Sequence, residues 1–159
     1  MIRKVIFFLF LSSFLNQCGF QPIYSEKSAI VENDYEIVLI SENSISVREA
    51  FNTIFRNSIK KSNFRLNINI IEQDLPIVTN SDGTVAKYRI DISTNFVLYD
   101  TVSDTEIFSN YSRGFAQYET QKNNYDTEQK RNEAKKIATT NSLQLIPIKI
   151  QNFQSRRVE

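Results

Sequence analysis

The chain is poor in the residues on which most enzymes, metal sites and disulfide-stapled folds depend. Its 159 residues include no histidine, no tryptophan, one cysteine, three glycines and three prolines. Without histidine the chain lacks the commonest general base and the commonest metal ligand. A single cysteine excludes an internal disulfide, and so few glycines argue against a glycine-rich phosphate loop. The composition therefore favours a binding or structural protein over a catalyst, and we expect no metal and no cofactor.

Charge is nearly balanced over the whole chain. Lysine and arginine number 19 against 18 aspartates and glutamates, a formal net charge of +1. General nucleic-acid binding needs a clearly basic chain or face, so no nucleic-acid partner is expected. A chain of this length can fold as one domain that buries about 68–70% of its unfolded surface without a disulfide.

The amino terminus has the build of an export signal. Arg3 and Lys4 precede a largely apolar run over residues 5–15, and Cys18 follows shortly after. The run is too short to span a bilayer, which needs roughly 20 residues. Its end, Leu15-Asn16-Gln17-Cys18, resembles the lipobox at which bacterial lipoproteins are cut and acylated. Its two middle residues are more polar than the small residues usual at that place.

These features predict an exported, lipid-anchored protein with a signal peptide over residues 1–17 and Cys18 as the lipid anchor. Stable attachment takes two or more acyl chains, and bacterial lipoproteins carry that many on this cysteine. Gly19 follows where aspartate would suggest inner-membrane retention, which favours the outer membrane. Two other interpretations stay open: a lone buried cysteine in an ordinary secreted domain, or an uncleaved amphipathic anchor.

Hydrophobic periodicity predicts an α+β domain over residues 35–153, preceded by a lipidated amino terminus and linker over residues 18–34 and followed by a frayed tail over residues 154–159. The element order is β-α-β-β-β-α. A right-handed crossover would join two parallel strands, and a mostly antiparallel meander would follow, with two helices packed on one face of the four-stranded sheet. The predicted strands cover residues 35–41, 64–70, 87–98 and 106–118, and the predicted helices cover residues 44–61 and the region from 126 onward.

Local signals refine these elements. Ser46 and Glu49 fit a capping box at the start of the first helix, and Asp126 is expected to cap the last helix. A change of apolar side in the fourth strand predicts a bulge near Arg113-Gly114. Pro147 is expected to end or bend the last helix. The predicted apolar stripe of that helix is Ala134, Ile137, Ala138 and Leu145, and its predicted solvated side is Glu128, Lys130, Arg131, Glu133, Lys135 and Lys136.

The sheet face away from the helices is predicted to be polar. An ordinary solvated face explains it, since antiparallel sheets often expose one side to water. A surface for an anionic ligand, or for docking inside a partner, explains it equally well. The side chains concerned are Arg65, Asn67 and Asn69 on one strand and Lys87, Arg89, Asp91, Ser93 and Asn95 on another.

Several segments together resemble one family, the lipopolysaccharide-assembly lipoproteins known as LptE, in its alphaproteobacterial-type branch. The best of them is Cys18-Gly19-Phe20-Gln21-Pro22-Ile23-Tyr24, which looks like the start of the mature family members. Pro147 departs from the family by interrupting what should be a longer helix, and the polar residues before Cys18 depart as well. The other similar segments are Asp82-Gly83-Thr84, Leu98-Tyr99-Asp100, the run over residues 112–118 and the run over residues 128–138.

The resemblance implies an outer-membrane lipoprotein facing the periplasm. Members of the family plug the LptD β-barrel and help to insert lipopolysaccharide into the outer leaflet. They bind lipopolysaccharide, whose lipid A carries phosphates, and cationic side chains suit phosphate as point charges or forks. On the polar face, the candidate lipopolysaccharide contacts are Lys87, Arg89 and Arg113.

Two alternatives stay open. The first is another envelope lipoprotein that acts as a transport or barrel-assembly accessory subunit. The second is a hydrolase with a lysine base or paired carboxylates, which the sequence supports poorly. Ser93 and Ser112 have no histidine partner, and Glu128 and Glu133 look like surface residues of a helix. We therefore expect no catalytic residues.

Overall fold

The computed structural model describes residues 35–55 and 62–156. The predicted anchor Cys18, the signal peptide, the linker and the first helix's Lys60 and Lys61 lie outside the described residues. The elements are β1 (Glu36–Leu39), α1 (Ile45–Ile54), β2 (Phe64–Thr79), β3 (Val85–Asp100), β4 (Thr105–Glu119), α2 (Asn124–Leu143) and α3 (Leu145–Ser155).

The α+β fold class is confirmed. The four strands form one sheet in the order β1-β2-β3-β4. β1 runs parallel to β2, with Ile37 opposite Leu66, and the three long strands form the expected antiparallel meander. β1 is short and pairs only with the first part of β2, so the second part of β2 is an edge of the sheet. Pro76 lies on this edge, where the missing amide of proline costs the sheet no hydrogen bond.

One face of the sheet carries the core because apolar residues alternate along the strands. Leu66 and Ile68 on β2 and Ile90 and Ile92 on β3 are at most 1% exposed. Each buried side chain of this size stabilises the fold by about 1.5–3 kcal/mol. Helices cover this face and leave the opposite face, called here the open face, uncovered. Within the two described ranges, no helix is long and apolar enough to cross a membrane.

The start of α1 differs from the predicted capping box. Its N-cap is Ser44, two residues earlier, and no side chain caps the first turn within the helix. The Ser44 amide and hydroxyl both donate to the Glu72 carboxylate, at 2.9 and 3.0 Å. Ser46 is buried and its hydroxyl donates to the Asn132 side chain at 2.9 Å. The predicted capping box was wrong because the carboxylate that accepts hydrogen bonds at the start of α1 is Glu72 of β2 and not Glu49.

The start and stripe of α2 also differ from prediction. The N-cap is Asn123, whose side chain accepts a hydrogen bond from the Tyr125 amide, while Asp126 lies inside the first turn. Ile137 is 54% exposed and Leu145 39% exposed, so the predicted stripe was wrong at both positions. Most of the buried residues of α2 are small, which lets the helix approach the sheet closely; those buried are Ala134, Ala138, Thr139, Ser142 and the larger Leu143.

Pro147 has the expected effect on the last helix. α2 ends at Leu143. In a continuous helix the Leu143 carbonyl would accept a hydrogen bond from the amide at position 147, which proline lacks. Helix resumes at Leu145, and Pro147 falls in the first turn of α3, where amides have no intrahelical partner. The expected tail is helical as far as Ser155, and the Gln154 amide side chain donates to the Tyr35 hydroxyl.

The predicted bulge is at the wrong place. Pairing of β3 with β4 is regular through Arg113 and Gly114, which face Ser93 and Ile92. The register shifts instead between Leu98 and Tyr99, so the extra residue lies at the start of β4.

Candidate functional site

The three predicted cations lie on the open face. Side chains alternate between the two faces of a strand, so Lys87 and Arg89 point away from the helices while Ile90 points into the core. Arg113 pairs with Ser93 in the ladder and therefore shares their face. These cations therefore share one uncovered surface, and their contact with lipopolysaccharide stays a prediction.

The structure brings two of the three cations to one shallow cavity of about 210 Å³. Arg89 and Arg113 both line it, and Lys87 does not. Lys87 lies further along β3, with its ammonium 3.9 Å from the Glu119 carboxylate on the neighbouring strand. The remaining cavity lining comes from Gln73, Asp91, Ile92, Ser93, Gly114 and Phe115.

The two arginines differ in how far their charge is neutralised. The Arg89 guanidinium is 2.5 Å from the Asp91 carboxylate and lies over the Phe115 ring at 4.7 Å. The Arg113 guanidinium lies over the Tyr111 ring at 5.4 Å. Among the described residues, no carboxylate forms an ion pair with Arg113. Arg113 is therefore the cation best placed to bind an external anion.

Apolar side chains surround these cations, which the sequence analysis did not anticipate. Phe115 is 59% exposed, and Ile71, Leu75 and Tyr111 on the same face are also exposed. Ile71 and Leu75 lie opposite Ser93 and Arg89 in the β2–β3 ladder. The open face is therefore amphiphilic rather than simply polar. The strand itself continues past Ile70, but its apolar residues change face there, so the pattern of Leu66, Ile68 and Ile70 does not extend to Ile71 and Leu75.

The polarity of β2 inverts beyond Ile70. Glu72 and Asp74 occupy the helix side, where Leu66 and Ile68 stand earlier in the strand. Lys135 of α2 lies 3.0 Å from Glu72, and both side chains are largely buried. Arg131, one helical turn earlier, lies 2.6 Å from Asp74. Both cations had been assigned to the solvated side of the helix, and that assignment was wrong.

These ion pairs change the pKa values of Glu72 and Arg131, and Asp74 also changes the pKa of the neighbouring Tyr118. Burial acts to raise the pKa of Glu72, but hydrogen bonds from Ser44 and the charge of Lys135 outweigh it and lower that pKa. Burial opposes the charge of Arg131, yet Asp74 and Glu128 raise its pKa. Burial and the neighbouring Asp74 charge raise the pKa of Tyr118 to about 12. The pairs fasten α2 to β2 and are distinct from the open face.

A larger cavity, of about 620 Å³, lies between α1 and α2 and is lined in part by Ile45 and Tyr125. Its charged lining is mostly acidic: Glu49, Glu128 and Glu133 are carboxylates, and the lysine among them, Lys136, pairs with Glu49. It therefore offers an anion less than the open face does, where Arg113 stands without a carboxylate partner among the residues described.

Ser112, one of the two serines considered for catalysis, lies in the core. Ser112 is 2% exposed and hydrogen-bonded to Ser142 at 3.1 Å, and Ser142 donates to Thr94 at 2.8 Å. These three residues fasten α2 to the sheet. In residues 35–55 and 62–156, no cluster of three or more acidic, histidine or cysteine side chains could hold a metal.

Comparison with known proteins gives similarity of structure only. No family model matches the chain, and the search of curated proteins found no match. A lipoprotein from Caulobacter crescentus superposes with a TM-score of 0.63 at 13% identity, covering 82% of this chain and 96% of that one. Rare lipoprotein B from Shewanella oneidensis gives 0.61 at 11% identity, covering 80% and 100%. Lipoprotein B from Nitrosomonas europaea gives 0.57 at 15% identity, covering 77% and 84%.

The chain therefore has the fold of these bacterial lipoproteins. The match spans nearly the whole length of the Caulobacter crescentus and Shewanella oneidensis chains. Identities this low establish the fold and leave the function to be argued from the site.

Proposed function

We propose that this chain is an envelope lipoprotein of the LptE type, anchored through Cys18 in the outer membrane and facing the periplasm. In this proposal it plugs an LptD-type β-barrel and assists the insertion of lipopolysaccharide. The observation that carries the proposal is the amphiphilic open face, where Arg113 stands beside exposed Phe115 and Tyr111. The shared fold with bacterial lipoproteins and the lipobox-like leader support it.

The chemistry of the open face suits lipid A better than a simple anion. A guanidinium can bind phosphate through two parallel hydrogen bonds. The exposed rings and aliphatic side chains nearby, including Ile71 and Leu75, offer apolar contact to acyl chains. Arg89 is partly neutralised by Asp91, so Arg113 is expected to contribute more to phosphate binding than Arg89.

We also propose that the role is non-catalytic. Of the two serines considered for catalysis, Ser112 is buried in the packing between β4 and α2. Ser93 is on the open face, and the carboxylate that lines the cavity with it, Asp91, is held in an ion pair with Arg89. The binding face and the hydroxyl cluster thus lie on opposite sides of the sheet.

Co-purification tests the barrel partner. The lipidated full-length protein, extracted from its own membranes in mild detergent, should retain a stoichiometric LptD-type barrel. Recovery of a different envelope complex would favour the accessory-subunit alternative and contradict the barrel proposal. Recovery of no partner, together with turnover of an envelope substrate, would contradict the non-catalytic role.

Alanine substitutions test the ligand. Replacing Lys87, Arg89 and Arg113 together should weaken lipopolysaccharide binding, and Arg113→Ala alone should account for most of the loss, about tenfold for one charge-assisted contact. Arg65→Ala is the control, because Arg65 lies on the same face, with a side-chain exposure of 43% close to the 42% of Arg89, but pairs with Glu36 at 3.5 Å. Equal binding by the triple variant and by Arg65→Ala would exclude the open face as the site.

A further inference from the structure

The outer edge of β4 leaves backbone hydrogen-bonding groups open. In an antiparallel ladder, the amide and carbonyl of successive residues point alternately to the two sides. The Thr120 amide donates to the Ala86 carbonyl at 3.0 Å, so the even-numbered residues at this end of β4 face β3. The register stays regular from 111 to 119, and the odd-numbered residues therefore face outward.

Side chains occupy both ends of this edge. The Tyr111 amide donates to the Asn110 side chain at 2.8 Å, and the Tyr111 carbonyl accepts from Lys149. The Glu119 carbonyl accepts from the Gln121 side chain at 3.3 Å. Between these ends, the described residues provide no partner for the outward amides and carbonyls. This stretch, called here the edge window, consists of Arg113, Phe115 and Gln117.

We propose that the edge window pairs with the same window of a second copy of the chain. Antiparallel pairing about a two-fold axis at Phe115 places Phe115 opposite its own copy and Arg113 opposite Gln117. Every open amide and carbonyl of both windows then acquires a partner, as in an ordinary ladder. The result is one continuous sheet across the two copies.

The side chains disfavour the two registers that are shifted toward Tyr111. Pairing centred on Arg113 would place two like charges directly opposite, which is destabilising. Pairing Arg113 with Phe115 would bring Gln117 against Tyr111, whose amide and carbonyl are already occupied. Pairing centred on Phe115 separates the two Arg113 positions by four residues, about 14 Å. It also forms an aromatic cross-strand pair from two rings that are each 59% exposed.

The short window predicts a weak dimer. Three residue pairs bury less than the roughly 1,200 Å² at which stable interfaces begin, so association should depend on concentration in the micromolar range, about 1–100 μM. The proposal does not rest on the barrel or on lipopolysaccharide, because it follows from the ladder of β4 alone.

A charge swap across the two-fold axis tests the register. Sedimentation of the lipidated full-length protein in density-matched detergent measures the dimer constant. Gln117→Arg puts an arginine opposite Arg113 twice and should weaken dimerisation about tenfold. Adding Arg113→Gln exchanges the two residues and should restore the wild-type constant. Asn95→Arg is the matched control, since it adds the same charge on the open face of β3, away from the edge, and should leave the constant unchanged.

Thermal unfolding of each variant separates folding defects from loss of pairing, because both substituted positions are exposed. A wild-type protein that stays monomeric at about 100 μM would overturn the proposal and leave the edge for a strand of another protein. A dimer that Gln117→Arg and Asn95→Arg affect equally would overturn it as well, because the interface would then lie elsewhere.

Discussion

Gly114 on β4 lies directly beneath the backbone of Ala138 on α2. A Cβ atom at Gly114 would stand 2.0 Å from the Ala138 carbonyl oxygen and 2.6 Å from the Ser142 amide nitrogen. Atoms that belong to a helix backbone cannot move aside as the end of a flexible side chain can. The absence of a side chain at position 114 therefore sets how closely α2 approaches the sheet.

Gly114→Ala should destabilise the domain by about 3 kcal/mol or more, because α2 must shift along its whole contact with β4. Gly83→Ala is the matched control. Gly83 has a positive φ of 87° but open space around it, so its cost should be about 1–2 kcal/mol. Urea unfolding midpoints at unchanged m-value measure both free energies. Equal losses would show that the close approach at Gly114 does not constrain the packing.

Neighbouring lysines of α2 should differ strongly in their effect. Lys135 lies against Glu72 with its side chain 13% exposed, whereas Lys136 pairs with Glu49 where both side chains are about half exposed. Lys135→Ala leaves a largely buried carboxylate without its cation and should cost about 2 kcal/mol or more. Lys136→Ala should change the free energy of unfolding by about 0.5 kcal/mol or less. Comparable losses from the two variants would contradict the buried pair.

Glu72 should make stability depend on pH at the acid end. Its folded pKa is lowered from the ordinary value of 4.5, because the bonds from Ser44 and Lys135 outweigh the effect of burial. The ionised form therefore stabilises the fold above pH 4.5, and this contribution is lost as pH falls through the lowered pKa. Glu72→Gln should be less stable than wild type at neutral pH, and the difference should shrink on acidification below that value.

The control for this titration is Glu49→Gln, which removes a carboxylate from an exposed pair. Urea unfolding at neutral and acid pH gives the difference for each variant. A Glu72→Gln deficit that is the same at both pH values would mean that the carboxylate charge is not the source of the effect.

Tyr118 should ionise only at strongly alkaline pH. Burial and Asp74 raise its pKa to about 12. Because the folded pKa lies above the ordinary value of 10, the protonated hydroxyl stabilises the fold below pH 10, and this contribution is lost as pH rises towards 12. Asp74→Asn should lower the pKa, and absorbance at phenolate wavelengths records the shift. Asp91→Asn, which changes a carboxylate on the open face, should leave the late titration in place.

The sequence was sufficient to predict the sheet. Residues such as Leu66, Ile90 and Ile92 alternate with polar neighbours, and strand order followed from short turns and the intervening helix. It was also sufficient to place Lys87 and Arg89 on one face. These features depend on the period of the strand, which is a local property of the chain.

The features that the sequence analysis missed depend on distant residues. Glu72 belongs on the core side only because Lys135 reaches it from more than sixty positions along the chain. Asp74 depends in the same way on Arg131, which lies 57 positions away along the chain. Once those carboxylates occupy the helix side, alternation forces Ile71 outward and makes the open face amphiphilic. Local polarity predicts the opposite arrangement, and only the packed helix explains the inversion.

Thr139 marks a place where the core can be improved. It is fully buried on α2, and within the described part of the chain its hydroxyl oxygen has no hydrogen-bond partner. Thr139→Val keeps the shape and removes the unpaired polar atom, so it should stabilise the domain by about 1 kcal/mol. Thr94→Val is the matched control, because the Thr94 hydroxyl accepts from Ser142 at 2.8 Å and its loss leaves that partner unpaired. We expect a higher urea midpoint for the first variant and a lower one for the second, and a drop in both would show that the Thr139 hydroxyl has a partner in solution.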